Sequence, residues 1–151
     1  MSLTPQTTRP TLPADKLILY VKQCAYLPTF IRPLLVFKSA NVSYKASPTS
    51  AQNVVKVIML LEALPTIPCH IYVLSSPATT PWFQAINPLQ MVPAMEDVEI
   101  RDGKRLDVWE SGACLLYLVE RFDEGGRWGG KDAWERAKVR NWVEMHSSGL
   151  G

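Results

Sequence analysis

Glu110 and Ser111 stand directly before a long apolar run, and Ser111 could bind a carboxylate group. A serine at the start of a helix can offer its hydroxyl and its backbone N–H to a carboxylate, and the helix dipole also favours negative charge at that end. The alternative is that both residues only cap the helix. Ser111 is therefore a candidate binding residue for an anionic group of a ligand.

Val92 and Pro93 offer a second kind of contact, made by the backbone. A proline that follows a strand-forming residue can hold a cis peptide bond, which would turn the Val92 backbone outward. Its N–H and C=O would then be free to pair with a peptide-like ligand. The alternative is an ordinary trans-proline loop, because only about 5–6% of X–Pro bonds are cis.

The three cysteines, Cys24, Cys69 and Cys114, form neither a CxxC pair nor a metal-ligand spacing. An odd number spread this widely indicates reduced thiols in a cytoplasmic protein rather than a disulfide framework. We expect each of them to be a buried structural residue, and we expect no metal site.

Length and composition exclude several classes of protein. A chain of 151 residues, 47% of them hydrophobic, can bury one ordinary domain but not two full ones. The net charge is +2 and the Lys and Arg residues are spread out, so no basic stripe is present to bind nucleic acid. Leu17–Phe37 is apolar, but two charges and two prolines lie inside it, so no membrane span is expected. The N-terminus also lacks the pattern of a secretory signal.

The order of predicted elements begins with a strand, a helix and a second strand. Lys16–Lys22 is short, apolar and flanked by charge, which is typical of a buried strand. After a turn at Ser47–Ser50, apolar residues recur at helical spacing up to Leu64, and Pro65 closes this first helix. His70–Leu74 is the second predicted strand.

A short helix and two antiparallel strands follow. The helix is predicted at Trp82–Ile86. The strands are predicted within residues 91–100 and at Leu106–Val108, with a tight hairpin turn at Asp102–Gly103.

Two longer helices complete the predicted order. One opens at Glu110–Ser111 and ends near Asp123, and Asp132 is expected to cap the other. The candidate buried positions of the last helix are Trp134, Ala137, Val139, Trp142, Val143 and Met145. The whole order predicts an α/β fold of thioredoxin-like layout, followed by the start of a helical unit.

Three motifs carry a resemblance to the cytosolic glutathione transferases. The first is Asn87-Pro88 with Met91-Val92-Pro93-Ala94, which is similar to the segment that leads into the family's cis-proline. The second is Trp109-Glu110-Ser111-Gly112-Ala113, which is similar to the family's helix-opening Glu-Ser pair. The third is Glu135-Arg136-Ala137 with Asn141-Trp142, which is similar to the first helix of the family's C-terminal domain. Pro81-Trp82-Phe83 adds a likeness to fungal transferases of secondary metabolism, of the kind found in the gliotoxin pathway. The resemblance covers residues 15–22 and 47–151.

The resemblance implies a thioredoxin-like, glutathione-binding domain over residues 15–126 and the start of a truncated, all-α C-terminal domain over residues 131–151. In such a protein Pro93 is cis and Val92 pairs with the backbone of glutathione. Ser111 then holds the γ-glutamyl end of glutathione, and Glu110 lies near its amino group. Family members commonly dimerise, so a homodimer belongs to the expected associations.

The resemblance also places a hydrogen-bond donor to the glutathione sulfur at the mouth of the first helix, where Ser50 and Asn53 match. The thiolate is the nucleophile, and lowering the pKa of a thiol by about two units takes roughly 2.7 kcal/mol. One or two hydrogen bonds, aided by the helix N-terminus, can supply that. The alternative is that Ser50 or Thr49 only caps the helix. Cys24 would suit a cysteine-type thiol transferase, but it lacks the proline and the following helix expected there.

The chain departs from the family in two places. Gln23–Lys45 stands where the family has a short loop, so we infer either an insertion in the protein or an intron left in the gene. This segment would lie beside the proposed sulfur site. The chain also stops after one helix of a domain that normally contributes several and forms most of the electrophile pocket. Trp134 and Trp142 would then expose apolar surface.

These observations predict a glutathione S-transferase-like enzyme that joins the glutathione thiolate to an electrophilic small molecule. Glutathione would be the co-substrate, and the resemblance suggests fungal secondary-metabolite biosynthesis as the setting. One alternative is a non-catalytic glutathione-binding or regulatory module, which the insertion and the truncation favour. A second alternative is a disulfide or dehydroascorbate reductase, for which only Cys24 is available.

Overall fold

The computed structural model describes residues 8–22, 42–43, 52–64, 67–74, 80–101 and 104–150. Within these ranges a five-stranded sheet has helices on both faces. The strands are β1 (Leu17–Lys22), β2 (Val42–Ser43), β3 (Cys69–Leu74), β4 (Ala94–Arg101) and β5 (Lys104–Trp109). The helices are α1 (Gln52–Ala63), α2 (Pro81–Ile86), α3 (Ser111–Phe122) and α4 (Ala133–Met145), and a π-helical turn (His146–Leu150) continues α4.

The sheet has the strand order β2-β3-β1-β4-β5. β1 and β3 are parallel, whereas β4 pairs antiparallel with both β1 and β5. The helix α1 leads into β3, which is parallel to β1. It therefore runs back along the sheet and begins at the carboxyl end of β1. The thioredoxin-like α/β fold predicted from the sequence is confirmed. The predicted turn at Asp102–Gly103 lies outside the described residues.

β1 is buried on both faces because successive side chains point to opposite sides of a strand. Leu19 faces the layer of α1 and α3, where Val57 and Leu118 are fully buried. Tyr20 faces α2 and packs against Phe83, with the ring centroids 5.4 Å apart. Burial on both faces explains why β1 is an unbroken apolar run.

The N-terminal segment, residues 8–16, is held to the α2 side of the sheet by a partly buried polar cluster. The Arg9 guanidinium donates to both carboxylate oxygens of Glu96, at 2.6 and 2.7 Å. Glu96 also accepts the hydroxyl of Tyr20 and is only 2% exposed. Arg105 donates to two carbonyl oxygens of the same segment, each at 2.9 Å. The Arg9–Glu96–Tyr20 cluster therefore supplies the partners that a buried carboxylate needs.

A tight loop joins α3 to α4. The carboxylate of Asp123 accepts the backbone N–H groups of Arg127, Trp128 and Gly129 at 3.0, 2.7 and 2.8 Å. Gly130 has a φ of 93°, and a Cβ there would lie 2.7 Å from the backbone nitrogen of Arg136. Only glycine suits this position, so the loop is closely packed against the start of α4.

α4 begins as predicted, but the prediction of its buried face is wrong. Asp132 accepts the backbone N–H of Glu135 at 2.9 Å, which confirms the predicted cap. None of the α4 residues is buried, and Trp134, Trp142 and Met145 are 67%, 68% and 46% exposed. Helical periodicity identifies an apolar face but not the element that covers it. The exposure of apolar surface at the two tryptophans, which was also predicted, is confirmed.

β2 was not predicted from the sequence. Val42 and Ser43 belong to the proposed insertion, Gln23–Lys45, and they pair in parallel with Cys69 and His70 at the start of β3. Part of this segment therefore adds a short edge strand to the sheet. Across the ranges given above, no helix is long and apolar enough to cross a bilayer.

Candidate functional site

The carboxyl end of β1 brings the predicted binding residues together. The paired residues Tyr20, Ala94 and Trp109 form a row across β1, β4 and β5 near that end. Val92–Pro93 directly precedes this row in the chain, and Glu110–Ser111 directly follows it. Neighbouring strands lie about 4.8 Å apart, so the two segments lie side by side at the same end of the sheet, the carboxyl end of β1.

The peptide bond between Val92 and Pro93 is cis, the isomer that the family resemblance implied. Asn87 holds the loop before this bond in place. Its side chain donates to the Met91 carbonyl at 2.8 Å and accepts the Leu89 N–H at 3.0 Å. Because Asn87 is only 1% exposed, one buried amide orders the approach to Val92.

Glu110 has an unusual backbone conformation. Its φ is 72°, in the left-handed region that residues other than glycine seldom occupy. It precedes α3 but makes no side-chain capping hydrogen bond, and it is exposed, whereas Ser111 is only 7% exposed. The capping alternative therefore does not describe the Glu110 side chain. Backbone strain of this kind concentrates at binding and catalytic sites.

The N-terminal turns of α1 and α3 lie at the same end of the sheet, where the two helices pack side by side. Asn53 is partly buried in the first turn of α1, whereas Ser50 lies outside the described residues. Burial lowers the pKa of Lys56, one turn further along α1, and the negative charge of Glu110 opposes that effect. The start of α1 and the start of α3 are thus close enough to interact electrostatically.

The C-terminal end of α4 lies beside the first turns of α1 and α3. Lys56 Nζ lies 3.1 Å from His146 Nδ1, although the two residues are 90 positions apart in the sequence. A Cβ on Gly112 would lie 2.9 Å from Ser147 Oγ and 3.3 Å from Val143 Cγ1, so this end of α4 rests on the first turn of α3. Sequence reasoning missed His146, because no local pattern around it indicates a partner on α1.

Two of the three cysteines are buried free thiols, as predicted. They are Cys69 and Cys114, while Cys24 lies outside the described residues. Burial raises the pKa of each buried thiol to about 12. Cys114 also donates to the Val108 carbonyl at 3.7 Å. Since the thiolate is the reactive form, neither residue is poised as a nucleophile.

We expect both buried thiols to resist alkylation in the folded protein. Raising a thiol pKa by about three units lowers its thiolate fraction roughly 1000-fold near neutral pH. Iodoacetamide treatment followed by peptide mass spectrometry should leave Cys69 and Cys114 unmodified in native buffer. Both should be modified in concentrated guanidinium chloride. Equal labelling rates in the two solvents would contradict the burial of these thiols.

A cavity of about 410 Å³ opens between α3 and α4, at the end of α3 opposite Ser111. Charged side chains of Glu120, Glu124, Arg136 and Arg140 line it. It is therefore separate from the candidate site. In the part of the chain that the structure describes, no group of three or more His, Cys, Asp or Glu residues is placed to hold a metal ion.

Comparison with known proteins identifies the family. No protein-family model matches the sequence. The chain is 43% identical over 146 residues to glutathione S-transferase sirG of Leptosphaeria maculans, an alignment that covers 96% of this chain and 53% of that protein. It is 33% identical over 150 residues to glutathione S-transferase tcpG of Claviceps purpurea, covering 96% of this chain and 51% of that protein. The chain belongs to the glutathione S-transferase family.

The chain spans about half the length of the curated relatives it matches. Its fold matches the crystal structure of a glutathione transferase from Burkholderia graminis that has two glutathione molecules bound per subunit. The TM-score is 0.61 at 29% identity, and the match covers 91% of this chain and 45% of that one. The predicted resemblance to the family, and to its fungal members of secondary metabolism, is confirmed.

Proposed function

We propose that this chain binds glutathione at the carboxyl end of β1 and joins its thiolate to a small electrophile. The observation that carries the proposal is the convergence of three features at the carboxyl end of β1. These are Val92–Pro93, Glu110–Ser111 at the start of α3, and the N-terminal turn of α1. Two helix N-termini and a free stretch of backbone suit a ligand that is both anionic and peptide-like.

Two of these features bind different parts of glutathione. Val92 precedes the first residue of β4, so its backbone is available to pair with the cysteinyl backbone of the tripeptide. Ser111, at the first position of α3, holds the γ-glutamyl carboxylate with its hydroxyl and its N–H. The exposed carboxylate of Glu110 faces the amino group of the same glutamyl end. The strained φ of Glu110 supports this role.

The sulfur belongs at the mouth of α1. There Asn53, together with Ser50, donates hydrogen bonds that stabilise the thiolate. The relatives support the chemistry, since sirG and tcpG are glutathione S-transferases and the Burkholderia transferase carries bound glutathione. We place the reaction in fungal secondary metabolism and in the cytoplasm. A homodimer is part of the proposal.

One observation favours a second candidate function, a glutathione-binding module without turnover. Trp134 and Trp142 are exposed on α4, so the described residues do not enclose an electrophile on that side. The deciding test is retention on immobilised glutathione with elution by free glutathione, followed by conjugation of chlorodinitrobenzene. A version lacking Gln23–Lys45 serves as the comparison. Retention without conjugation would support the module, and loss of retention by a folded chain would overturn both functions.

Asn53→Ala should slow conjugation mainly at acidic pH. Losing one hydrogen bond to the thiolate, worth about 1 kcal/mol, raises the pKa of the bound thiol by about 0.7 units. Less thiolate is then present below that pKa, so the rate falls by about fivefold there and recovers as the pH rises above it. A pH–rate profile measures the shift, and the exposed Asn141→Ala on α4 is the matched control. An unchanged profile for Asn53→Ala would remove this residue from the proposed role.

A further inference from the structure

Asn87 connects the end of α2 to the loop that leads into β4. Its backbone N–H donates to the Phe83 carbonyl at 2.9 Å, and its own carbonyl accepts the Gln90 N–H at 2.9 Å. Its side chain accepts the Leu89 N–H at 3.0 Å and donates to the Met91 carbonyl at 2.8 Å. Because Phe83 is fully buried, these four hydrogen bonds attach the loop to a fixed part of the fold.

The loop over residues 88–91 has little packing of its own. None of these four residues is buried, and the apolar side chains of Leu89 and Met91 are 59% and 60% exposed. Within the described ranges, every hydrogen bond that the four residues make goes to Asn87. An asparagine side chain can order a turn in this way by bonding to backbone groups a few residues further on. Asn87 therefore sets the shape of the loop.

The side chain of Asn87 also sets the direction of the Val92 N–H. The Met91 carbonyl and the Val92 N–H belong to one trans peptide unit, which is planar, so the two groups point in opposite directions. The hydrogen bond from Asn87 Nδ2 turns the carbonyl towards the buried amide. The Val92 N–H thus faces away from Asn87, and it has no hydrogen-bond partner among the residues that the structure describes.

We propose that Asn87 is a positioning residue for glutathione, because it directs the Val92 N–H towards the cysteinyl carbonyl oxygen of the tripeptide. This inference rests on the proposed function and deepens it by naming the residue that prepares one contact of the site. A donor that is held in place before the ligand arrives loses less conformational entropy on binding. Releasing the Met91 carbonyl should therefore weaken this one contact and leave the others intact.

Asn87→Ser separates the two side-chain hydrogen bonds. A serine hydroxyl can still accept the Leu89 N–H in a turn of the same kind, but it is too short to reach the Met91 carbonyl. The backbone hydrogen bonds of this position remain, so the variant should fold, as far-ultraviolet circular dichroism would check. Asn141→Ser, at an exposed position of α4, is the matched control.

Three ligands locate the effect by isothermal titration calorimetry. Glutathione and γ-glutamylcysteine both have a carbonyl oxygen at the cysteinyl position, whereas γ-glutamylcysteamine lacks it but keeps the γ-glutamyl group and the thiol. Asn87→Ser should raise Kd by about tenfold for the first two ligands, which is the contribution of one well-placed hydrogen bond. It should leave Kd for γ-glutamylcysteamine unchanged, and Asn141→Ser should change none of the three. A merely structural role for Asn87 would weaken all three alike.

Hydrogen exchange of the unaltered chain gives a second test, which does not depend on the folding of a variant. Amide exchange followed by nuclear magnetic resonance should be fast at the Val92 N–H in the free protein. Saturating glutathione should slow this exchange by at least about tenfold, because the N–H then has a partner. Exchange at Val92 that glutathione does not slow would overturn the inference.

The calorimetric outcomes are distinguishable from one another. Equal losses for the three ligands, or no loss for any of them, would overturn the inference. A loss confined to glutathione would overturn it too, because the effect would then lie at the glycine. An unaltered chain that binds glutathione no more tightly than γ-glutamylcysteamine would remove the Val92 contact and the inference with it, while leaving the γ-glutamyl contacts in place. A folded chain that binds none of the three would overturn the proposed function itself.

Discussion

Replacing Arg9 with Met should lower the free energy of unfolding by about 3 kcal/mol. The substitution leaves the Glu96 carboxylate, 3% exposed, with the Tyr20 hydroxyl as its remaining partner in the Arg9–Glu96–Tyr20 cluster. Removing one partner of a buried ion pair costs about 3–5 kcal/mol, and the lower end applies because Arg9 itself is 46% exposed. Urea denaturation followed by far-ultraviolet circular dichroism measures the change as a shift of the midpoint.

A double-mutant cycle separates the charge from the packing of Arg9. Adding Glu96→Gln to Arg9→Met removes the unpaired charge while an amide still meets Tyr20, so the double variant should regain part of the loss. Arg140→Met, at an exposed position of α4, is the matched control and should change stability by less than about 0.5 kcal/mol. If Arg9→Met costs no more than this control, the cluster does not stabilise the fold.

Ser111→Ala should weaken glutathione binding by about 10-fold to 100-fold. A hydrogen bond to a charged group contributes about 1.5–3 kcal/mol, and each 1.4 kcal/mol is a factor of about ten in Kd. Isothermal titration calorimetry of the chain with glutathione measures the difference. The variant removes the hydroxyl but keeps the backbone N–H and the start of α3, so the fold should persist.

A second ligand makes this test specific for the γ-glutamyl carboxylate. Cysteinylglycine lacks that group, so Ser111→Ala and the unaltered chain should bind it equally weakly. Ser148→Ala, an exposed serine outside the proposed site, should bind glutathione as the unaltered chain does. Equal glutathione affinity for Ser111→Ala and the unaltered chain would show that the carboxylate is held elsewhere.

The order of elements could be predicted because its signals are local. The apolar run of β1, the helical spacing in α1 and the cap at Asp132 each lie within a few neighbouring residues. β2 contains only two residues, Val42 and Ser43, which is too short for any periodicity, and its partners on β3 are distant in sequence. The exposed face of α4 shows the same limit, since amphipathicity does not say what lies opposite.

The candidate site was predictable where a motif places backbone at the end of a strand, as at Val92–Pro93 and Glu110–Ser111. Its geometry was not. The positive φ of Glu110 and the double hydrogen bond of Asn87 arise from tertiary packing, which composition does not encode. Lys56 and His146 meet only because α4 folds back over α3. The role of Ser50 remains a prediction.

The helix α4 is held in place at both of its ends. Asp123 ties down the near end through three backbone N–H groups, and Lys56 holds the far end at His146. A helix of 13 residues is about 20 Å long, so a tilt of about 5° at the loop would displace the far end by roughly 2 Å. That displacement is enough to break a 3.1 Å contact. A small change in the angle of α4 at the loop would therefore separate the side chains of Lys56 and His146.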